Sequence, residues 1–327
     1  MQKVIFIATV LLIHMSFAQQ TYQRTFKLMG SRFDITLVEK DSITANKYID
    51  IAIAEMDRIE KIISSWDANS QTSVINKNAG IQPIKVNKEL FNLIKRSLAI
   101  SKLTDGAFDI SYASMDKIWK FDGSMKTFPS KETIKKSVKK VGYSNIILDE
   151  EKQTVFLKLK GMKIGFGAIG KGYAADKAKK LLISKGVRAG IINASGDMNT
   201  WGEQPNGKDW TIAITNPLNK EKVYGIFSLK KGAVVTSGNY EKYVIFDGKR
   251  YTHIIDPRTG LPSSGIISAT IFAPSAELAD ALATSIFVTG SEVGINLINQ
   301  LSKIECIVID AKGNIHKSKG IHIKKYN

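Results

Sequence analysis

The sequence predicts an α+β fold, built as one compact two-lobed unit of antiparallel sheets and packed helices. Apolar residues make up 43% of the 327 residues, which is enough to form a core and excludes a disordered chain. Helical and strand-like periodicities are mixed without the regular βαβ alternation of a doubly wound fold. Because no fixed repeat and no linker rich in proline or serine divides the sequence, we expect a single folded unit.

The first third of the chain predicts two strands and two core helices. Apolar residues alternate over 22–38 and are interrupted at Gly30, which is typical of two strands joined by a turn. Over 43–63 the apolar residues recur at steps of three and four, which predicts one amphipathic helix. A second helix is expected to begin after the N-cap residue Asn87 and to end before Gly106.

The rest of the chain mixes short strands with two more helices. Residues 171–185 and 277–288 have helical periodicity. Short apolar runs separated by polar turns indicate strands of an antiparallel sheet. The predicted strands are 146–148, 154–159, 162–165, 187–192, 210–214, 223–229, 234–236, 243–246, 266–272 and 304–309.

Residues 1–18 have the pattern of a secretory signal peptide. Lys3 precedes an apolar run over 4–13, and small residues precede Gln19. The run is too short for a stable membrane span, although an uncleaved anchor is the alternative. No lipobox cysteine follows the run. We therefore expect the ligand-binding domain to occupy 19–327 and the protein to be periplasmic or otherwise extracytoplasmic.

The charge balance is strongly basic, with 47 Lys and Arg against 30 Asp and Glu and a formal net charge of +17. No nucleic-acid module and no aromatics interleaved with basic residues are present, so no nucleic-acid partner is expected. Lysines such as Lys135 and Lys136 are typical of a solvated helix face. Attraction to a phosphorylated ligand or to anionic lipid, with peripheral membrane association, stays open. Cys306 is the single cysteine, which excludes a disulfide framework.

A glycine-rich segment, 165–173, precedes the predicted helix at 171–185. Four glycines within eight residues allow close approach of backbone to a ligand, and Lys171 adds positive charge near the helix start. The segment lacks the Ser or Thr that follows the lysine of a Walker A loop. It therefore suits a phosphate group, and an ordinary tight turn before a helix is the alternative explanation.

Three further residues could carry chemistry. Asp280 and Thr284 are four apart on a predicted helix and project from one face, where they could serve as oxygen ligands for Mg²⁺. The alternative for this pair is a solvated helix face. His253 lies within six residues of a carboxylate and a guanidinium, and the alternative there is a hairpin with an incidental histidine.

Two aromatic residues could contact a flat heteroaromatic ligand. Trp66 lies just beyond the end of the first predicted helix, and Phe108 lies in a turn-rich stretch. Each ring could instead fill the core, which is the commoner position of a large aromatic side chain. Turns rich in small polar residues at 193–197 and 236–239 follow apolar strands, where binding loops are often found.

Taken in order, these stretches resemble the ApbE family of FAD:protein FMN transferases, and the resemblance spans nearly the whole chain after residue 18. The matching segments are Met29-Gly-Ser31, Ser64-Ser-Trp-Asp67 through Asn76, Thr104-Asp-Gly-Ala-Phe-Asp109, Gly167-Ala-Ile-Gly-Lys-Gly-Tyr173, Asn193-Ala-Ser-Gly-Asp197, Thr236-Ser-Gly238, His253-Ile-Ile-Asp-Pro-Arg-Thr-Gly260 and Asp280-Ala-Leu-Ala-Thr284.

The resemblance implies a T-fold-like architecture with FAD in a cleft between two lobes and Mg²⁺ on its pyrophosphate. Such enzymes move the FMN half of FAD onto a Thr or Ser hydroxyl of an acceptor protein and release AMP. By position, the side chains of Asp280 and Thr284 and the carbonyl of Ala168 correspond to metal ligands. His253 is our candidate for the base that takes the acceptor proton. The implied FAD contacts are Met29, Trp66, Ala107, Phe108, Asp109, Lys171 and Ile254.

Three positions depart from the family pattern: Gly165 and Asn239 each replace a usual aspartate, and Ser195 replaces a usual glycine. Two alternatives therefore stay open, an FAD pyrophosphatase that gives FMN and AMP, and a non-catalytic extracytoplasmic FAD-binding protein. A secreted domain for another ligand is the remaining possibility. For a transferase, the expected acceptors are extracytoplasmic domains of membrane redox complexes.

Overall fold

The structure is a computed structural model that describes residues 19–239 and 243–321, except for the side chains of 219–222. The predicted signal peptide at 1–18 lies outside the described residues. Among those that are described, no helix combines the length and apolar character needed to cross a bilayer.

The strands alternate with helices irregularly, which confirms the predicted α+β class with antiparallel sheets. The strands are β1 (Gln20–Leu28), β2 (Ser31–Glu39), β3 (Ile84–Lys85), β4 (Ile146–Asp149), β5 (Thr154–Leu157), β6 (Gly190–Ala194), β7 (Asp197–Trp201), β8 (Trp210–Asn216), β9 (Asn219–Leu229), β10 (Gly232–Gly238), β11 (Tyr243–Phe246), β12 (Lys249–Thr252), β13 (Ile266–Ala273), β14 (Glu305–Asp310) and β15 (Ile315–Lys317).

The helices include all four that were predicted. Their bounds are α1 (Ser42–Ile63), α2 (Gln71–Lys77), α3 (Lys88–Leu103), α4 (Lys131–Ser137), α5 (Gly170–Ser184), α6 (Ala276–Thr289) and α7 (Ser291–Ile298), with short 3₁₀ helices at Ile110–Ser114 and Tyr143–Asn145.

An eight-stranded antiparallel sheet forms the centre, in the order β1-β2-β6-β7-β10-β13-β14-β15. A smaller sheet has the order β3-β5-β4, and β8–β9 and β11–β12 are separate hairpins. The expectation of one antiparallel sheet is therefore wrong for the strands at 146–148, 154–159, 210–214, 223–229 and 243–246. These strands pair with a neighbour in sequence because closing a short turn costs little conformational entropy.

The central sheet is covered on both faces. Cys306 and Val308 of β14 join the large core formed with α1, α5 and α6, while Ile307 between them packs with Ile214 of β8. This alternation follows from the two-residue period of a strand. Cys306 is fully buried, and burial raises the pKa of its thiol to about 11. The cysteine therefore acts as a small hydrophobic residue of the core.

The predicted helix starts follow from their caps. Asn87 precedes α3, and its side chain accepts a hydrogen bond from the Leu90 amide at 2.7 Å. Asp41 caps α1 in the same way, through the amide of Thr44. On α4, Lys135 and Lys136 are exposed, as expected for a solvated face.

The predicted strand at 162–165 is wrong, because side chains replace the partner strand there. Ser114 Oγ accepts a hydrogen bond from the Lys163 amide, and the Asn76 side chain bonds both the amide and the carbonyl of Ile164. Gly165 then donates to the carbonyl of Ile110 at 2.9 Å. These bonds fix the irregular segment that leads into α5.

Candidate active site

A cavity of about 750 Å³ opens between the start of α5, one face of α6, the β6–β7 turn and the irregular segment 107–121. Its walls come from elements that are distant in sequence. Of the predicted site residues, all but one line this cavity: Trp66, Ala107, Phe108, Asp109, Ala168, Lys171, His253, Ile254, Asp280 and Thr284.

Met29 is the predicted contact that does not line the cavity. It lies in the turn between β1 and β2 with φ of +50°, and its amide donates to Glu60 Oε2 at 3.1 Å. Ser31, two residues further on, does reach the cavity wall. The turn thus approaches the site while the Met29 side chain packs against the core.

One end of the cavity is charged. Lys171 Nζ lies 3.0 Å from Asp197 Oδ2 and 3.6 Å from Asp280 Oδ2, and we call these three residues the cavity cluster. Neither oxygen meets an aligned hydrogen-bond donor, although both carboxylate side chains are only 6% exposed. The charges of Asp280 and Asp197 hold the pKa of Lys171 above its usual range. Burial, together with the charge of Asp280, raises the pKa of Asp197.

Two glycines in the first turn of α5 allow close packing. A Cβ on Gly172 would lie 2.3 Å from the carbonyl oxygen of Ala276, and one on Gly170 would lie 2.9 Å from Ile63 Cδ1. Neither has positive φ, so a tight left-handed turn does not explain the segment. By contrast, no atom lies within 4 Å of where a Cβ on Gly167 would be, and Gly167 lines the cavity. Gly172 therefore places Lys171 beside Asp280.

Asp197 is a site residue to which sequence reasoning assigned no role. The turn between β6 and β7 contains Ser195 with φ of +57° and Gly196 with φ of +101°, and it places Asp197 opposite Lys171. The available signal was a turn of small residues that ends in an acid after an apolar strand. This left-handed backbone explains why the family usually has a glycine where this chain has Ser195.

Asp280 and Thr284 lie one turn apart on α6, and both line the cavity. The solvated-face alternative is wrong, because Asp280 is buried. Two buried carboxylates that share one lysine, together with a nearby hydroxyl, fit a hard divalent cation that takes few protein ligands. Among the described residues, no group of three or more acidic, histidine or cysteine side chains could hold a metal alone. The remaining ligands must therefore come from backbone, water or substrate.

Another part of the cavity lining is aromatic. Trp66 is 84% exposed, so it does not fill the core, and Lys117 Nζ lies 4.7 Å from its ring centroid. Phe108 is only 2% exposed and does belong to the core, with part of its surface on the cavity wall. Tyr112 and Trp119 line the same region. A flat heteroaromatic group fits such a wall.

The carboxylate of Asp109 stabilises the local backbone. Its two carboxylate oxygens accept hydrogen bonds from the amides of Ser111 and Tyr143, both at 2.7 Å. Burial raises the pKa of this carboxyl group. Asp109 therefore anchors the wall segment around Ala107 and Phe108.

His253 lies on the cavity wall directly after β12. The neighbouring Asp256 and Arg258 form an ion pair at 2.9 Å, and Arg258 also donates to the carbonyl of Asp105. Of this trio, only His253 reaches the cavity. Ile254, also on the wall, is held through its carbonyl by the amide of Ser263 at 2.8 Å.

Two of the positions that differ from the family pattern, Gly165 and Asn239, can be explained by their local contacts. A Cβ on Gly165 would lie 3.1 Å from that of Ala113, so a larger side chain would have to displace the neighbouring wall. Asn239 is buried, and its Nδ2 donates to the carbonyl of Ile266 at 2.9 Å. An aspartate could not donate this bond, so the amide suits its position.

A family comparison agrees with this geometry, because residues 29–308 match the model of the ApbE family. The chain belongs to the ApbE family. An FAD:protein FMN transferase of Klebsiella pneumoniae is 31% identical over 298 residues, which cover 90% of this chain and 91% of the relative. A protein of the same name from Buchnera aphidicola is 28% identical and spans 97% of this chain and 95% of its own length.

Solved ApbE structures share the fold. The ApbE protein of Thermotoga maritima superposes with a TM-score of 0.83 at 32% identity, covering 92% of this chain and 97% of that one. The flavinyl transferase ApbE of Pseudomonas stutzeri, in its apo form, gives 0.81 at 25% identity, with 92% and 95% covered. The two-lobed ApbE-like architecture predicted from the sequence is confirmed.

Proposed function

We propose that this ApbE protein transfers the FMN moiety of FAD to a hydroxyl group of an acceptor protein. The observation that carries the proposal is the single cavity that joins an aromatic wall to the cavity cluster. FAD has the matching chemistry, with flat rings linked through a diphosphate. The named relatives, similar over nearly their full lengths, support the same assignment.

In this proposal Lys171 binds the diphosphate of FAD. Its ammonium lies in the first turn of α5, where the backbone amides also favour an anion. Trp66 and Phe108 contact the flavin or adenine ring at the opposite wall. The exposed face of Trp66 is available for stacking, and the ring needs no core partner to hold it.

Magnesium is the proposed metal, held by the side chains of Asp280 and Thr284 and the carbonyl of Ala168. When bound, Mg²⁺ neutralises charge on the diphosphate and on the departing phosphate. Asp197 faces the same space and completes the negative surface around Lys171. The convergence of the Asp197 and Asp280 carboxylates on the single ammonium of Lys171 supports this arrangement.

The reaction exchanges the phosphoanhydride link of the FAD diphosphate for a phosphoester link to the acceptor. The acceptor hydroxyl oxygen bonds to the phosphorus on the FMN side, and the bond from that phosphorus to the bridging oxygen breaks. AMP leaves with the bridging oxygen, and the hydroxyl proton passes to His253 as general base. We propose Thr or Ser as the acceptor residue, because their hydroxyls give a phosphoester.

The acceptor is proposed to be an extracytoplasmic domain of a membrane redox complex. Seven lysines between Lys117 and Lys139 are exposed. None of these seven forms an ion pair within the part of the chain that the structure describes. This basic surface adjoins the cavity wall at Lys117 and suits an anionic protein or lipid surface. Peripheral membrane association belongs to the same proposal.

Mass spectrometry tests the proposal. The purified protein is incubated with FAD, Mg²⁺ and a candidate acceptor, and the acceptor is expected to gain the mass of one FMN less one water while AMP appears in equal amount. Asp280→Asn is the loss variant, and Asp50→Asn, in an exposed ion pair with Arg24, is the matched control.

Two other results would replace the transferase assignment. Free FMN and AMP in equal amounts, without labelling of any acceptor, would identify an FAD pyrophosphatase that uses water. Intact FAD that stays bound would identify a carrier.

A further inference from the structure

A second polar group lies behind the cavity cluster and connects the same three elements. It consists of Asp176 on α5, Asn199 on β7 and Lys179 on α5, and we call it the buried network. Asn199 Nδ2 donates to Asp176 Oδ1 at 2.5 Å, and Lys179 Nζ donates to Asn199 Oδ1 at 2.6 Å. Asn199 is fully buried and Lys179 is 7% exposed.

The network also holds the start of α6. Asp176 Oδ1 accepts from the amide of Ala276 at 3.1 Å, and Oδ2 accepts from the amide of Glu277 at 2.8 Å. These amides belong to the first turn of α6, where no intrahelical carbonyl can accept from them. Negative charge is stabilised at this end of a helix. Asp176 therefore fixes α6 to α5.

Each contact lies close in sequence to a member of the cavity cluster. Asn199 is two residues beyond Asp197 on β7, so both side chains project from the same face of the strand. Ala276 is four residues before Asp280, which is about one helical turn. A shift at the network would thus move Asp197 and Asp280 relative to each other.

The orientation of the Asn199 amide is determined by its partners. Lys179 has only donors, and ionised Asp176 has only acceptors. A flipped amide would place a donor against Lys179 and an acceptor against Asp176, so only one orientation satisfies both. Lys179 also donates to the carbonyl of Thr200 at 2.7 Å. This explains why a charged lysine is buried here.

From these contacts we infer that Asp176, Asn199 and Lys179 are positioning residues that set the separation of Asp197 and Asp280 for binding of Mg²⁺ and FAD. They do not line the cavity. The inference rests on the proposed function, because it concerns the affinity of the proposed metal site. Outer partners of metal ligands typically change metal affinity by about 10- to 100-fold.

Asp176→Asn is the primary test, since it conserves shape and replaces one acceptor oxygen with a donor. That donor would face either Asn199 or an amide of α6. Calorimetry measures FAD binding at increasing Mg²⁺ without any acceptor protein, so the readout is independent of transfer. We expect about a 10-fold increase in the Mg²⁺ concentration for half-maximal FAD binding.

A double variant that exchanges the side chains of Asp176 and Asn199 distinguishes an effect on the geometry of the metal site from a general loss of stability. In Asp176→Asn with Asn199→Asp, the amide and carboxylate trade places, Lys179 faces a carboxylate, and the Mg²⁺ dependence should partly recover. Asp41→Ala is the matched control, because it removes the side-chain cap of α1, which lies away from the cavity. It should lower the melting temperature without changing the Mg²⁺ dependence.

Lys179→Met provides a second route if Asp176→Asn does not fold, since it removes the donor that orients Asn199. It should also raise the Mg²⁺ requirement. The inference is overturned if the folded single variants bind FAD with the wild-type Mg²⁺ dependence. Wild-type protein that shows no Mg²⁺-dependent FAD binding would instead overturn the proposed function, and this inference with it.

Discussion

The cavity cluster and the buried network are two polar groups on the same three elements, and they differ in how their polar atoms are satisfied. In the network, both oxygens of Asp176 accept hydrogen bonds, and the Asn199 amide is bonded at both ends. In the cavity cluster, Asp197 Oδ2 and Asp280 Oδ2 have no aligned donor. Both groups contain a buried or half-buried lysine.

This difference separates structural from ligand-binding polar groups. A buried polar atom without a hydrogen bond costs about 1–3 kcal/mol, and a charged one costs more. The network avoids this cost within the protein. In the cavity cluster, two buried carboxylates share the single ammonium of Lys171, which leaves a negative charge that a cation from outside the protein could balance.

The largest effect is expected from Asp280→Asn. The amide removes the charge of a proposed metal ligand, and we expect the rate of FMN transfer to fall by about 1,000-fold, or about 4 kcal/mol of transition-state stabilisation. Urea unfolding in the absence of metal should show little loss, because Lys171 keeps Asp197 as its partner and the repulsion between Asp280 and Asp197 is removed. A large loss of stability would mean that this carboxylate supports the fold.

Lys171→Met should reduce stability by about 3 kcal/mol, since it leaves two buried carboxylates facing each other without a cation. Urea unfolding with and without Mg²⁺ measures this. Added Mg²⁺ should restore more stability to the variant than to the wild-type protein, because a ligand that binds only the folded state stabilises it. Equal Mg²⁺ effects in both proteins would place the metal away from Lys171.

Gly172→Ala tests the contact that brings α5 and α6 together. The new Cβ would lie 2.3 Å from the carbonyl oxygen of Ala276, so we expect a loss of about 1–3 kcal/mol in the free energy of unfolding. The loss would occur despite the better helix propensity of alanine. Gly167→Ala is the matched control for stability, because its Cβ would meet open space.

The smallest effect is expected from Ser195→Gly. Ser195 has φ of +57°, where an L side chain costs roughly 1–2 kcal/mol, so glycine should relieve about 1 kcal/mol. Part of that gain is offset by the greater entropy of glycine in the unfolded chain. Thermal unfolding measures the difference, and a destabilised variant would show that the Ser195 side chain makes a favourable contact.

Sequence periodicity could predict the elements whose structure is decided locally. The apolar stripe of α1, the Asn87 cap of α3 and the spacing of Asp280 and Thr284 each depend on residues within one helix. The family resemblance added the positions on the cavity wall. Nearly all of those positions converge on one cavity.

What the sequence could not predict depends on contacts between distant segments. The strand expected at 162–165 is replaced by bonds from Asn76 and Ser114, which are many residues away. Asp197 acquires its position from the β6–β7 turn and from Lys171 on another element. The buried network likewise could not be predicted from the sequence, because Asp176 and Asn199 come into contact only when β7 packs on α5.

Anomalous scattering from Mn²⁺ in crystals grown with FAD tests the central claim most directly, because it locates the metal independently of turnover. We expect one strong peak beside Asp280 and Thr284, with the FAD diphosphate next to Lys171. The same crystals of Asp280→Asn should lack the peak. FAD bound outside the cavity, or a metal peak away from the cavity cluster, would contradict the account.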